Sequence, residues 1–122
     1  MSHELSWSGN EVIISFKGDV DFHEITEADD VIYVDPRFEK QKYQIWDFRR
    51  VDSFKISTVE ATVIGGIDRD TSMWNDNIKL AAVSQDQHII DMTMEYKKEM
   101  KDTNWQIRMF DTFDDAYDWC VK

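Results

Sequence analysis

With one cysteine and one proline in 122 residues, the chain lacks two common constraints. Cys120 alone can form neither an intrachain disulfide nor a cysteine-based zinc cluster, which points to a reducing compartment with the cytoplasm as the default. Pro36 and four glycines leave no room for a Pro- or Gly-rich linker, and no repeat or low-complexity run interrupts the chain. No apolar stretch approaches the length of a bilayer span, and Met1 to Asn10 lacks the basic and apolar regions of a signal peptide, so no transmembrane segment is expected. Positive charge is also scarce. Fourteen Lys and Arg stand against 25 Asp and Glu, a net charge of −11 that repels phosphate backbones and anionic headgroups. Nucleic acid is therefore not an expected partner. His3, His23 and His88 are scattered, and His23-Glu24 lacks the second histidine at i+4 that a zincin helix needs. The carboxylates at Asp111, Asp114, Asp115 and Asp118 lack the alternating ligands, glycine and closing glutamate of an EF-hand, so no metal site is expected. No nucleophile with a base and no phosphate-binding glycine loop can be assembled from local spacings. The expectation is a protein that is not an enzyme and needs no cofactor.

Large side chains are abundant. Apolar residues make up 42% and aromatics 13% of the sequence, enough for one core in a single domain spanning 1–122. Residues 3–7 and 11–17 read as strands joined by the turn Ser8-Gly9-Asn10, a hairpin. Asp21 then precedes Phe22, Ile25, Ala28 and Ile32 at helical spacing until Pro36. Tyr43 to Phe48 reads as a strand covered on both faces, and Val59, Val63, Gly66 and Ile67 mark one face of a second helix over about 57–73. Gly65-Gly66 within that helix suggests a close approach to the sheet or a kink. Residues 78–84 form a strand, with Ile89, Met92, Tyr96 and Met100 striping a third helix. Trp105 to Phe110 is the last strand, and Phe113, Ala116, Tyr117 and Cys120 stripe the last helix. The helix starts carry cap signatures: Asp21 with Glu24, Ser57 with Glu60, Ser84 with Gln87, and Thr112 with Asp115. The order ββαβαβαβα predicts an α/β fold, a mixed five-stranded sheet with parallel inner strands and one antiparallel strand from the hairpin. Its functional edge lies where strands end and helices begin.

A hairpin, a helix and then WDFRRVDSFKISTVEATVIGG resembles the organisation of the bacterial STAS, or SpoIIAA-like, domains over nearly the whole chain. Asp47-Phe48 matches their Asp-apolar strand end. Lys55-Ile56-Ser57-Thr58 falls at their phosphoacceptor element, where the Asp, first Ser and Gly of the usual Asp-Ser-Ser-Gly are missing. Asp47-Phe48-Arg49 and the closing Phe110 to Trp119 segment also resemble a SpoIIAA-like, SEC14-related group of small bacterial proteins. The resemblance implies a non-enzymatic regulatory or protein-interaction module, akin to anti-sigma factor antagonists. The alternative it implies is a binding domain for a small apolar or lipid-like ligand, which an apolar cavity would distinguish.

On this reading Ser57 is a phosphoacceptor candidate, because free amides and the dipole at a helix start favour a phosphate. The plainer reading is that Ser57 caps the helix, with Glu60 completing the box. Asp47, Arg49, Arg50 and Lys55 are candidates for binding an anion or a partner, with arginine forks as the recognising groups. They are expected to converge with Ser57 across a short loop. Alternatively, the arginines pair with neighbouring carboxylates. Cys120 lies on an apolar stripe and reads as core. Met92, Met94, Met100 and Tyr96 read as core packing or as the lining of a ligand pocket.

Overall fold

The computed structural model describes residues 3–122, so Met1 and Ser2, although within the expected domain, lie outside the described residues. The strands are β1 (His3–Ser8), β2 (Glu11–Asp21), β3 (Tyr43–Lys55), β4 (Lys79–Val83) and β5 (Gln106–Phe110). Between and after them come the helices α1 (Phe22–Val34), α2 (Thr58–Thr71), α3 (Gln87–Glu99) and α4 (Phe113–Val121). Short 3-10 turns cover Pro36–Lys40 and Ser72–Trp74. Sheet order follows chain order, with β1 antiparallel to β2 and β2 to β5 parallel. Gly9 adopts φ +58°, the left-handed conformation that closes the two-residue hairpin turn.

Crossovers of one hand between sequential parallel strands carry their helices to the same face. Accordingly α1, α2 and α3 share one face with Phe16, Trp46 and Phe48, while α4, which follows the last strand, packs on the other against Ile45, Ala81 and Val83. Alternation along β3 supplies both layers: Trp46 and Phe48 point to the three-helix face and Ile45 to α4. Phe16 stacks on Trp46 and Phe48 with centroids 5.7 and 5.1 Å away. Each such buried aromatic contributes about 1.5–3 kcal/mol of transfer free energy.

The two central strands are longer than their apolar runs. β2 continues through Gly18, at φ +71°, to Asp21, and β3 continues through the segment expected as a loop to Lys55. Each strand supplies the other's backbone partners, and β3 has one extra residue between Asp47 and Arg50 and another between Val51 and Ser53. Two bulges restore the original facing, so Phe48 and Phe54 both reach the three-helix core while charged residues occupy the stretch between them. β4 pairs with β3 only over Tyr43–Asp47.

Helix α2 corrects two expectations. Its buried stripe is Ala61, Ile64, Gly65 and Asp68, whereas Val59, Val63 and Ile67 are 72%, 44% and 37% exposed. The helix therefore presents apolar residues at helical spacing on two sides, and the smaller ones face inward. Gly65 explains that choice: a Cβ there would lie 2.5 Å from Glu99 Cβ and 3.0 Å from the Tyr96 carbonyl oxygen. Its close approach is to α3, not to the sheet, and Gly66 meets nothing closer than 3.8 Å. The capping signatures hold at Asp21, Ser57 and Thr112. For α3 the cap moves to Asp86, which accepts from the Ile89 amide, while Ser84 Oγ accepts from the Asp86 amide one step earlier. On α4, Ala116 and Cys120 are buried and Trp119 packs beside them, whereas Tyr117 is 39% exposed.

Candidate functional site

Ser57 forms a complete capping box. Its Oγ accepts from the Glu60 amide at 3.2 Å, and its own amide donates to Glu60 Oε1 at 3.0 Å. The residue is exposed, so the hydroxyl is reachable from solvent. Asp47 and Arg49 are held to each other by a two-pronged pair, Nε to Oδ1 at 2.9 Å and Nη2 to Oδ2 at 2.7 Å, with the guanidinium 5.2 Å from the Phe113 ring centroid on the α4 side. Arg50 and Lys55 are exposed, and neither forms an ion pair among the described residues. Because β3 runs unbroken between them, these two cations are on the order of 15 Å apart at strand rise. Lys55 alone of the basic candidates sits beside Ser57 in the chain. The positive groups are thus strung along an extended ribbon, since the short loop expected to gather them is strand.

A second constellation lies on the three-helix face. Asp29 of α1 and Asp68 of α2 are each 2% exposed. Both carboxylate oxygens of Asp68 accept phenol hydroxyls, Oδ1 from Tyr33 and Oδ2 from Tyr96. Asp29 is hydrogen-bonded to Asp68, and its Oδ2 meets no N–H or O–H donor among the described residues. Burial, and next the charge of Asp68, push the Asp29 carboxyl well above the ordinary carboxylate range. Burial also raises Asp68, while the hydrogen bonds from Asp29, Tyr33 and Tyr96 pull it back. Of the two, Asp29 has the environment that more strongly favours the protonated carboxyl. Burial, followed by the neighbouring aspartates, raises both phenols, which remain donors.

These aspartates border a half-enclosed cavity of about 70 Å³ between the sheet and the three helices, walled by Trp46, Phe48, Phe54 and Met92 among others. Met92 and Tyr96 thus belong to this lining, while Met100 is buried in the core and Met94 is 36% exposed. The sequence carries the signal for this cluster in the helix stripes. Asp29 is the i+4 position of the buried set Ile25, Ala28 and Ile32, and Asp68 is the i+7 position of Ala61, Ile64 and Gly65. A carboxylate on an apolar stripe demands a buried partner. Among the described residues no group of three or more His, Cys, Asp or Glu is arranged to hold a metal, and no helix is long and apolar enough to cross a membrane.

No family model matches the sequence, and no curated protein matches it significantly. Solved structures do. The anti-sigma factor antagonist SpoIIAA in its unphosphorylated form superposes with a TM-score of 0.60 at 15% identity, covering 98% of this chain and 96% of that one. The Bacillus cell fate determinant SpoIIAA in the phosphorylated form gives 0.63 at 16% identity over 98% and 99%. An uncharacterized DUF3478-family protein with a SpoIIAA-like fold from Shewanella loihica gives 0.52 at 12% identity over 97% and 91%. This chain has the SpoIIAA-like fold. Within that SpoIIAA-like frame, Ser57 caps the exposed start of α2, and Asp68 is buried near the other end of the same helix.

Proposed function

We propose that the protein is a regulatory protein-interaction module of the STAS type, without catalytic activity, which docks a partner through the outer face of α2. The observation that carries this reading is the exposed stripe Val59, Val63 and Ile67, starting two residues after Ser57. Exposed valines and isoleucine in a row on a helix cost solubility without adding to the core, and such a stripe suits a helix-face contact. Ser57 heads the stripe as the phosphoacceptor. A phosphate there would add about −1.5 to −2 charge at the edge of an apolar contact, next to the Glu60 carboxylate, and so weaken docking. Of the candidate cations, Arg50 and Lys55 form no ion pair among the described residues and attract an acidic partner segment, while Asp47 and Arg49 pair with each other. The likeness to SpoIIAA, one of whose structures is of a phosphorylated form, supports the reading at the level of fold.

The alternative, an apolar or lipid-like ligand, draws on the cavity. At about 70 Å³ it is far below the roughly 300–1,000 Å³ of ordinary small-molecule pockets, so it supports a small occupant and not a lipid. Co-purification from the native cell with wild-type bait and with a Val59→Glu/Val63→Glu bait tests the docking face. A protein retained by the first and lost with the second is expected. Identical retention by both would reject the face, and intact mass measurement of the same bait reports whether Ser57 gains a phosphate.

A further inference from the structure

Glycine inside a helix weakens it, so a helical glycine needs a packing reason. Gly65 has one in the α2–α3 contact. Gly66 has none among the described residues: a Cβ there would meet only the Arg69 guanidinium, at 3.8 Å. Side chains spaced four apart form parallel rows on a helix surface. On α2, the exposed Val59, Val63 and Ile67 make one such row, and Thr62, Gly66 and Asp70 make the next. The missing side chain at Gly66 cuts a notch in the second row, beside the apolar ridge. Ridge and notch are the two halves of a helix-packing surface. The ridge fills a groove on another helix, and the notch admits that helix's own ridge at close range.

Charge decides what kind of helix fits. Asp30 of α1 and Glu60 and Asp70 of α2 form no ion pair among the described residues. Arg69, the only Lys or Arg in either helix, is held by Glu99 at 3.0 Å. A second copy of α2 would set Glu60 and Asp70 against themselves, and an anionic bilayer would be repelled as well. Lysine or arginine beside an apolar ridge complements this surface. We propose, resting on the reading of the outer face of α2 as a docking site, that its occupant is a basic amphipathic helix of another protein, which crosses α2 near Val63 and seats its apolar ridge in the notch at Gly66.

To test this, the full chain carrying the photo-crosslinker p-benzoylphenylalanine in place of Thr62, one turn before Gly66, is expressed in its native cell and irradiated, and the captured peptide is sequenced by mass spectrometry. A segment of another protein with apolar residues at i and i+4, and with more Lys and Arg than Asp and Glu, is expected. Capture of a second copy, of an acidic segment, of one without that spacing, or of nothing would overturn the proposal. The captured segment, made as a synthetic peptide, is then titrated by fluorescence anisotropy against wild type, Gly66→Ala and Gly66→Leu. Binding is expected to weaken about threefold with alanine and about tenfold or more with leucine as the notch is filled. Both substitutions favour the helix, so thermal midpoints stay at or above wild type and lost binding is not lost folding. Equal affinity for all three proteins would overturn the notch. Val63→Glu tests the underlying face: binding unaffected by it rejects the docking role of α2, whereas binding lost with Val63→Glu and kept with Gly66→Leu rejects only the close-packed helix.

Discussion

The two faces of the sheet are built by different rules. Against α4, Ile45, Ala81 and Val83 meet Ala116 and Cys120 in a small apolar layer, and burial pushes the Cys120 thiol up to about 12. Against α1, α2 and α3 the layer is thicker and richer in aromatics, yet it encloses two aspartates, two tyrosine hydroxyls and a cavity. The first face is stabilised by removal of carbon from water. The second gives up part of that stabilisation to keep a polar cluster dry, as is usual of sites and unusual of plain cores. A fold of one sheet can thus assign stability to one side and chemistry to the other.

The contrast can be broken by mutation, with the largest effect expected on the apolar face. Ile45→Ala removes a side chain with no exposure from the α4 layer and should cost about 2–5 kcal/mol, read as a lower denaturant midpoint. On the other face the next substitution should act in the opposite direction. Asp29 has its carboxyl raised in the folded protein, so its contribution to stability is fully present below the unfolded value of about 4 and is lost as pH rises through the folded value. Asp29→Asn keeps a neutral donor toward Asp68 and removes this loss. Thermal midpoints should therefore be higher than wild type at pH 7, with the excess shrinking as pH falls towards 4. A variant less stable than wild type at pH 7 would show that Asp29 is not the protonated partner.

Smaller effects test how closely α2 is held over the polar face. Gly65→Ala forces its new methyl against Glu99 and the Tyr96 carbonyl, for a loss of about 1–3 kcal/mol that outweighs the gain in helix propensity. Ser57→Ala, outside both layers, should cost about 1 kcal/mol through loss of the capping box. Gly66→Ala meets only an ordinary contact, with the Arg69 guanidinium at 3.8 Å, and should stabilise by about 0.5–1 kcal/mol. Equal responses at the two glycines would refute the close α2–α3 contact.

Element order, sheet type and most helix starts were legible because apolar period and cap chemistry are local: Asp21, Ser57 and Thr112 each bond an amide three residues on. The extent of β3 was not, since Arg49-Arg50-Val51-Asp52 has no strand-like pattern and is held extended by its partner β2 through two bulges. The buried side of α2 was hidden by its own symmetry. Val59, Val63 and Ile67 outscore Ala61 and Gly65 in apolar bulk, and only the approach of α3 determines which row faces in. The aspartate pair was readable in principle, as Asp29 interrupts the stripe of Ile25, Ala28 and Ile32. Its partner, 39 residues further along at Asp68, is brought to it by tertiary packing alone.

The unequal strand lengths bear on how the molecule behaves in a crowd. Beyond Asp47, β3 has β2 on one side and, among the described residues, no strand on the other, so a stretch of backbone at the rim resembles the growing end of a fibril. Two bulges spoil its flatness, and Arg49, Arg50, Asp52 and Lys55 put charge where a second molecule would have to lie. These charges and their spacing act as a guard against self-templating, independently of any partner. A redesign that neutralised them to improve crystals would expose a sticky edge.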